Sequence, residues 1–333
     1  MKAALLTAQN APLEVAEVEL GELTFGQVLV RVLVSGLCGA QLQEIRGEKG
    51  GPLPHLMGHE GCGIVERIGS AVTRVKPGDK VVMHWRKADG IESSLPVYKF
   101  GGANFNSGRV VTLAEVAICS ENRLTPVPLD TPRDLAALLG CGLSTALATV
   151  ERDAAIKFGE SVLVVGCGGL GVNLIRAARM ANAGEVGAVD VHEHKRPVAL
   201  AMGADHYGAR AGAGARCDCI LDTVGSPASI AANFPALAPS GRYILIGQPA
   251  PGAAVTLPDA RRLFDGDGQT IRATQGGGFR PHLDIPRYLA LHRRGALNTS
   301  GIVTHRFPLA DINAAFDRLR AGEASRIMID VSG

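Results

Sequence analysis

The chain has 333 residues, 46% hydrophobic and 4% aromatic, enough apolar material for two cores of ordinary domain size. Lys and Arg number 34 against 32 Asp and Glu, and the net charge of +2 is spread without a basic block, which argues against nucleic acid or a membrane surface as partner. The opening MKAALLTAQNAPLEVAEVEL turns polar too soon for a signal peptide and no uncharged run would span a bilayer, so a cytoplasmic location is expected. The seven cysteines, odd in number and scattered, form no disulfide framework and invite a search for a metal or a reactive thiol.

In chain order, short β-rich runs come first: GQVLVRVLVSG, GCGIVERIG and DKVVMHW, separated by turn signals such as Lys76-Pro77-Gly78-Asp79. This pattern predicts a compact antiparallel barrel up to about residue 125. After Pro132 a helical stretch over 133–150 leads into alternating strands and helices, with CDCILDTVG and GRYILIG as later buried strands, the signature of a doubly wound nucleotide domain. GARAGAGAR at 208–216 reads as a flexible surface loop. Beyond Gly276-Gly277-Gly278-Phe279 two amphipathic helices, 285–294 and 309–321, and a last strand, RIMIDV, are expected to pack back onto the first domain. The predicted division is 1–142 with 279–333 as one domain and 143–278 as the other.

The turn in SVLVVGCGGLGVNLIRAARMA carries Gly166, Gly168 and Gly171 between a β-branched run, 161–165, and a helix-spaced run, 172–180. Three such glycines allow a tight turn, a close approach of backbone N–H groups to a pyrophosphate, and close packing of helix on strand, with the phosphates facing the helix N-terminus. Asp190 ends the next apolar run, where a carboxylate accepts from both ribose hydroxyls and repels a 2′-phosphate, so NAD is expected, with the nearby cations Lys195 and Arg196 leaving NADP open.

A second set has chemical meaning: Cys38 in SGLCGAQ, His59 with Glu60 in MGHEGCG, and Cys141 in LLGCGLST. Two thiolates and one imidazole are a known ligand set for a catalytic zinc with an open fourth position. Taken singly, Cys38 or Cys141 is more often a buried small hydrophobe than a ligand and His59 more often a structural histidine, and spacing alone does not decide.

The chain resembles the medium-chain zinc-dependent alcohol dehydrogenase superfamily through nearly its whole length. The residues that carry the resemblance are LCG at 37–39, GHEGCGIV at 58–65, VKPGDKV at 75–81, GCGLST at 140–145, GCGGLG at 166–171, Asp190 with Lys195, GGGF at 276–279 and ASRIMI at 324–329. The resemblance implies an α/β fold: an N-terminal GroES-like β-barrel catalytic domain and a Rossmann doubly wound nucleotide-binding domain. It implies Cys38, His59 and Cys141 as ligands of one catalytic zinc, with Glu60 a carboxylate able to approach the metal. Around the coenzyme it implies Gly166, Gly168, Gly169 and Gly171 at the pyrophosphate, Thr145 near the nicotinamide and Leu170 against its far face. Lys195 would reach the adenosine ribose, and Arg326 would pair with the pyrophosphate. A homo-oligomer, dimer or tetramer, is expected on the same ground.

Two departures stand out. The four clustered cysteines that hold a structural zinc in family members are missing between Cys62 and Cys119, so that zinc is expected to be absent, and HWRKADGIESSLPVYKFGGANFNSGR occupies the place. This stretch reads either as a solvated loop or as a functional one. Trp85, with His84, Arg86 and Lys87 beside it, would line a substrate pocket suited to a polyhydroxylated or anionic molecule. The family's proton relay is also absent, since Ala40 and Gln43 stand at its two places, and Gln41 replaces the carboxylate that orients the ligand histidine. The expected activity is a zinc- and NAD-dependent interconversion of a secondary alcohol and a ketone on a polar small molecule such as a sugar, polyol or cyclitol. The rivals are a zinc-independent quinone or enone reductase of the same superfamily and a non-catalytic nucleotide-binding protein.

Overall fold

A computed structural model describes residues 1–212, 214–264 and 268–331. The chain divides into two units, one of residues 1–141, 280–295 and 303–333, the other of 142–279 and 296–302. Ala213, inside the glycine-alanine stretch expected to be a loop, lies outside the described residues.

In the first unit the three predicted runs become Gln27–Leu37, Glu60–Ile68 and Lys80–His84, adjacent antiparallel strands of a seven-stranded sheet. Val28, Val30 and Val32 alternate inward and are fully buried with Leu5, Leu56, Leu113 and Ile118 in one core. The C-terminal strand Ile327–Asp330 joins this sheet antiparallel to Gln27–Leu37, so the tail does return to the first unit. It brings a strand the sequence pattern missed, His305–Pro308, parallel to Ile327–Asp330.

The second unit has six parallel strands in the spatial order His206–Gly208, Glu185–Val189, Ser161–Val165, Cys217–Asp222, Leu237–Leu245, Thr270–Ala273. The chain starts in the middle, winds outward on one side, then crosses to the other, and the order reverses beside Ser161–Val165. The segment 296–302, expected with the first unit, falls here, where Gly301 lies against Met202.

Two expectations need correction. The single helix over 133–150 is broken: Arg133–Leu138 and Gly142–Ala148 are separate helices, followed by a wider π-type turn at Thr149–Ala154. Gly140 sits in the break, where a Cβ would overlap Met83 O, so helix could continue there only by moving the sheet. The stretch 84–109 is neither a solvated loop nor structureless. It holds a hairpin, Val97–Phe100 with Ala103–Asn106, that pairs with Glu19–Leu20, and its Tyr98 is wholly buried with the phenol bonded to Ile118 N and O.

Candidate metal centre and nucleotide turn

Cys38 lies just past the end of the strand Gln27–Leu37, at the N-terminus of the short helix Gly39–Ile45; His59 precedes Glu60–Ile68; Cys141 occupies the helix break. Three remote chain segments thus deliver three donors, and their ligand atoms all lie within 4.8 Å of one another. Among the described residues this is the one such group of three His, Cys, Asp or Glu. A hydrogen bond from Cys141, together with His59 and Arg326, holds the Cys38 thiol well below its ordinary range, and the same bond pushes Cys141 up. The cluster thus already favours one thiolate, the protonation state a metal requires. Sulfur, sulfur and nitrogen at this separation fit a tetrahedral zinc with one position left over.

Glu60 stands outside this group. It is wholly buried, and its Oε1 accepts from Arg326 Nη1 at 2.9 Å, while the same Nη1 donates to Leu37 O at 2.8 Å. Gly36 makes this possible: a Cβ there would overlap Glu60 Oε1. Arg326 is 3% exposed, and its Nε has no hydrogen-bond partner among the described residues. Gln41 does not orient His59 as its position implied. Its Oε1 accepts the Cys38 N–H at 2.8 Å, capping the helix, and its Nε2 is buried without a partner.

The substrate-wall residues separate. His84 is wholly buried, with Nδ1 2.7 Å from Arg86 O and Nε2 2.9 Å from Thr125 Oγ1. Burial pushes it down to about 3, so it is neutral and has no nitrogen left for a substrate or a proton. Lys87 is paired with Glu92 at 2.6 Å. Trp85 is half-buried with the Arg86 guanidinium 5.6 Å from its ring centre. The register pairs Glu60 with His84, so one step further along the two strands come His59 and Trp85.

In the second unit the predicted turn runs from Ser161–Val165 into the helix Gly169–Met180. Gly166 has φ +89°, and a Cβ at Gly171 would overlap Gly166 O, so helix and turn pack at glycine-only distance. Nothing lies within 4 Å of the Cβ position of Gly168, which leaves open space at the helix N-terminus. Gly169 and Leu170 open that helix and are partly exposed, while Thr145 is buried on Gly142–Ala148. Asp190 Oδ2 accepts from Cys167 N at 2.8 Å and Lys195 Nζ at 3.0 Å, and Oδ1 from His192 N at 3.0 Å. Burial works to raise this carboxyl, but those two N–H groups and Lys195 outweigh it and hold it below the ordinary value.

Two further buried contacts, of Gly36 with Glu60 and of Glu121 with the backbone N–H groups of Thr73, Arg74 and Ile91, differ in how legible they are in the sequence. A glycine two residues before the first cysteine was a signal for the former; Glu121 in CSENR had none, because its partners are backbone N–H groups of distant turns.

Two family models match the chain: the alcohol dehydrogenase GroES-like domain over residues 24–129 and the zinc-binding dehydrogenase over 169–292. A geraniol dehydrogenase of Castellaniella defragrans is 30% identical over 97% of this chain and 95% of its own length. An NDMA-dependent alcohol dehydrogenase of Amycolatopsis methanolica is 29% identical over 98% of both. An alcohol dehydrogenase zinc-binding domain protein from Burkholderia ambifaria superposes with a TM-score of 0.87 at 28% identity, over 100% of this chain and 99% of that one. Benzyl alcohol dehydrogenase from Acinetobacter calcoaceticus shares the fold, with a TM-score of 0.88 at 24% identity over 99% of both.

Proposed function

Because the chain belongs to the medium-chain zinc-dependent alcohol dehydrogenases, we propose that it interconverts a secondary alcohol and a ketone on a polar small molecule, with one zinc and NAD. The observation that carries this reading is the convergence of Cys38, His59 and Cys141 within 4.8 Å, which also weighs against a zinc-independent reductase. Cys38, His59 and Cys141 would hold the zinc, which would supply Lewis acidity at the reacting oxygen, and the coenzyme would supply the hydride chemistry.

The chain's own residues do the rest. The Glu60–Arg326 pair, with Arg326 Nη1 also on Leu37 O, fixes the end of the strand that leads to Cys38. The glycine turn holds the pyrophosphate at the helix N-terminus, while Asp190, with Oδ1 accepting only the His192 N–H among the described contacts, takes the ribose and disfavours a 2′-phosphate. Thr145 and Leu170 would flank the nicotinamide and Lys195 would stay on the ribose side. Ala40 and Gln43 have no titratable group to relay a proton, and His84 is committed on both nitrogens. The routes left for the proton are water, a second hydroxyl of the substrate and Glu60, and the substrate route favours polyhydroxylated molecules over simple alkanols. Trp85 with Arg86 supports the same preference, offering an aromatic ring with a cation over it one residue past His84, the strand partner of Glu60.

The test is an NADH-linked screen of sugars, polyols, cyclitols and simple alcohols on protein of measured metal content. A polyhydroxylated ring or chain should be oxidised well and ethanol poorly, because donors shaped for a hydroxyl are left unpaired by an analogue that lacks it. Efficient ethanol oxidation, with Trp85→Ala and Arg86→Ala both silent, would end the polar-substrate reading.

A further inference from the structure

We propose that Glu121 is a positioning residue that holds the Trp85–Arg86 wall in place for the substrate, through a clamp of hydrogen bonds; the substrate half of this rests on the function proposed above. Glu121 is wholly buried, in a short turn, Glu121–Arg123, remote from the metal ligands in sequence. Its Oε1 accepts the N–H of Thr73 at 2.6 Å and of Arg74 at 2.7 Å, and its Oε2 the N–H of Ile91 at 2.7 Å. One carboxylate thus ties two separate turns together. Gly90 has φ +103°, and its Cβ position lies 2.8 Å from Glu121 Oε2, so the chain approaches the carboxylate at glycine-only distance.

The neighbours continue the clamp. Ser120 Oγ accepts from Ser93 N and donates to Ile91 O, both at 2.9 Å, and Ala88 N donates to Asn122 O at 2.8 Å. Glu92 meets Lys87, Arg109 and Arg123. At the other end His84 grips Arg86 O. Residues 84–93 are therefore pinned at both ends, and Trp85 and Arg86 lie between the pins. A buried carboxylate with four lone-pair sites is a centre on which backbone N–H groups of separate turns can converge.

Trp85 is the chain's single tryptophan, so its fluorescence reads the wall directly. Glu121→Gln keeps the shape but replaces one accepting oxygen by an NH₂ facing an N–H. Acrylamide quenching of Trp85 should rise, and the KM for the best polar alcohol should rise roughly tenfold with kcat within about twofold, the scale of one lost charge-assisted hydrogen bond. Zinc content and NADH affinity should stay unchanged. Ser120→Ala, a milder cut, should move the same two readouts less and guards against a Glu121→Gln protein that does not fold. Unchanged Trp85 quenching in both variants would overturn the clamp, with or without a fall in melting temperature. Raised quenching alongside a silent Trp85→Ala would support the clamp and strike instead the substrate wall of the proposed function.

Discussion

The cysteine–histidine triad and the Glu121 clamp are built by the same means and end differently. Each gathers groups from remote segments of the first unit around one small volume. At Glu121 the carboxylate is met by three backbone N–H groups of the protein itself, and the result is a fixed backbone. At the triad two sulfurs and a nitrogen bond among themselves, around Cys38, and three such lone-pair atoms at this separation suit a cation. Convergence alone therefore marks neither chemistry nor structure; the residual valence does.

The sharpest way to break this comparison is to remove a triad member. Cys141→Ser should lose its zinc on gel filtration, seen by elemental analysis, and turnover should fall by about a thousandfold or more, beyond the ~10–100-fold typical for groups that merely support a ligand. NADH affinity should hold, because the glycine turn is in the other unit. Two tightly bound zincs per wild-type chain would contradict the single-site reading.

Next in size is the buried pair behind the triad. Arg326→Leu leaves the Glu60 carboxylate buried beside Gly36 with its cation gone, and stability in urea should fall by on the order of 3 kcal/mol. Replacing Glu60 by Gln in the same variant should recover part of that loss, which a simple packing defect would not allow.

His84 tests the saturated side of the comparison by pH. Its folded value of about 3 lies below the unfolded value near 6.5, so between these the unfolded chain binds the extra proton. Its stabilising contribution is complete above about pH 6.5 and is lost progressively as the pH falls towards 3. From pH 7 to pH 5 the loss should be about 2 kcal/mol in urea denaturation, and it should vanish in His84→Gln. Glu121 adds a later loss of the same sign, since burial, which raises its carboxyl, is outweighed by the N–H groups of Ile91, Thr73 and Arg74.

The smallest effect is expected at the coenzyme. Asp190→Ala should reduce the preference for NAD over NADP by about tenfold in kcat/KM. Wild-type protein that used NADP with the higher efficiency would mean that Lys195 or Arg196 answers the phosphate.

Where the signal was local, the sequence was sufficient. The glycines of 166–171 announce their turn because only residues without a Cβ meet its distances, and the alternation of Gln27–Leu37 announces a half-buried strand. The triad was legible as residue types but not as a group, because its members are brought together only by the antiparallel register and the helix break at Gly140. The same register, not the sequence, took His84 away from any substrate: a histidine before a tryptophan looks like pocket chemistry until Thr125, from a distant strand, claims its second nitrogen. Periodicity likewise ran a helix through 133–150 that the sheet beneath it forbids, and missed the hairpin of Val97–Phe100 and Ala103–Asn106. Residue types and short-range spacing fix which chemistry the chain can do; long-range packing decides which polar atoms are spent on the fold and which remain for a ligand.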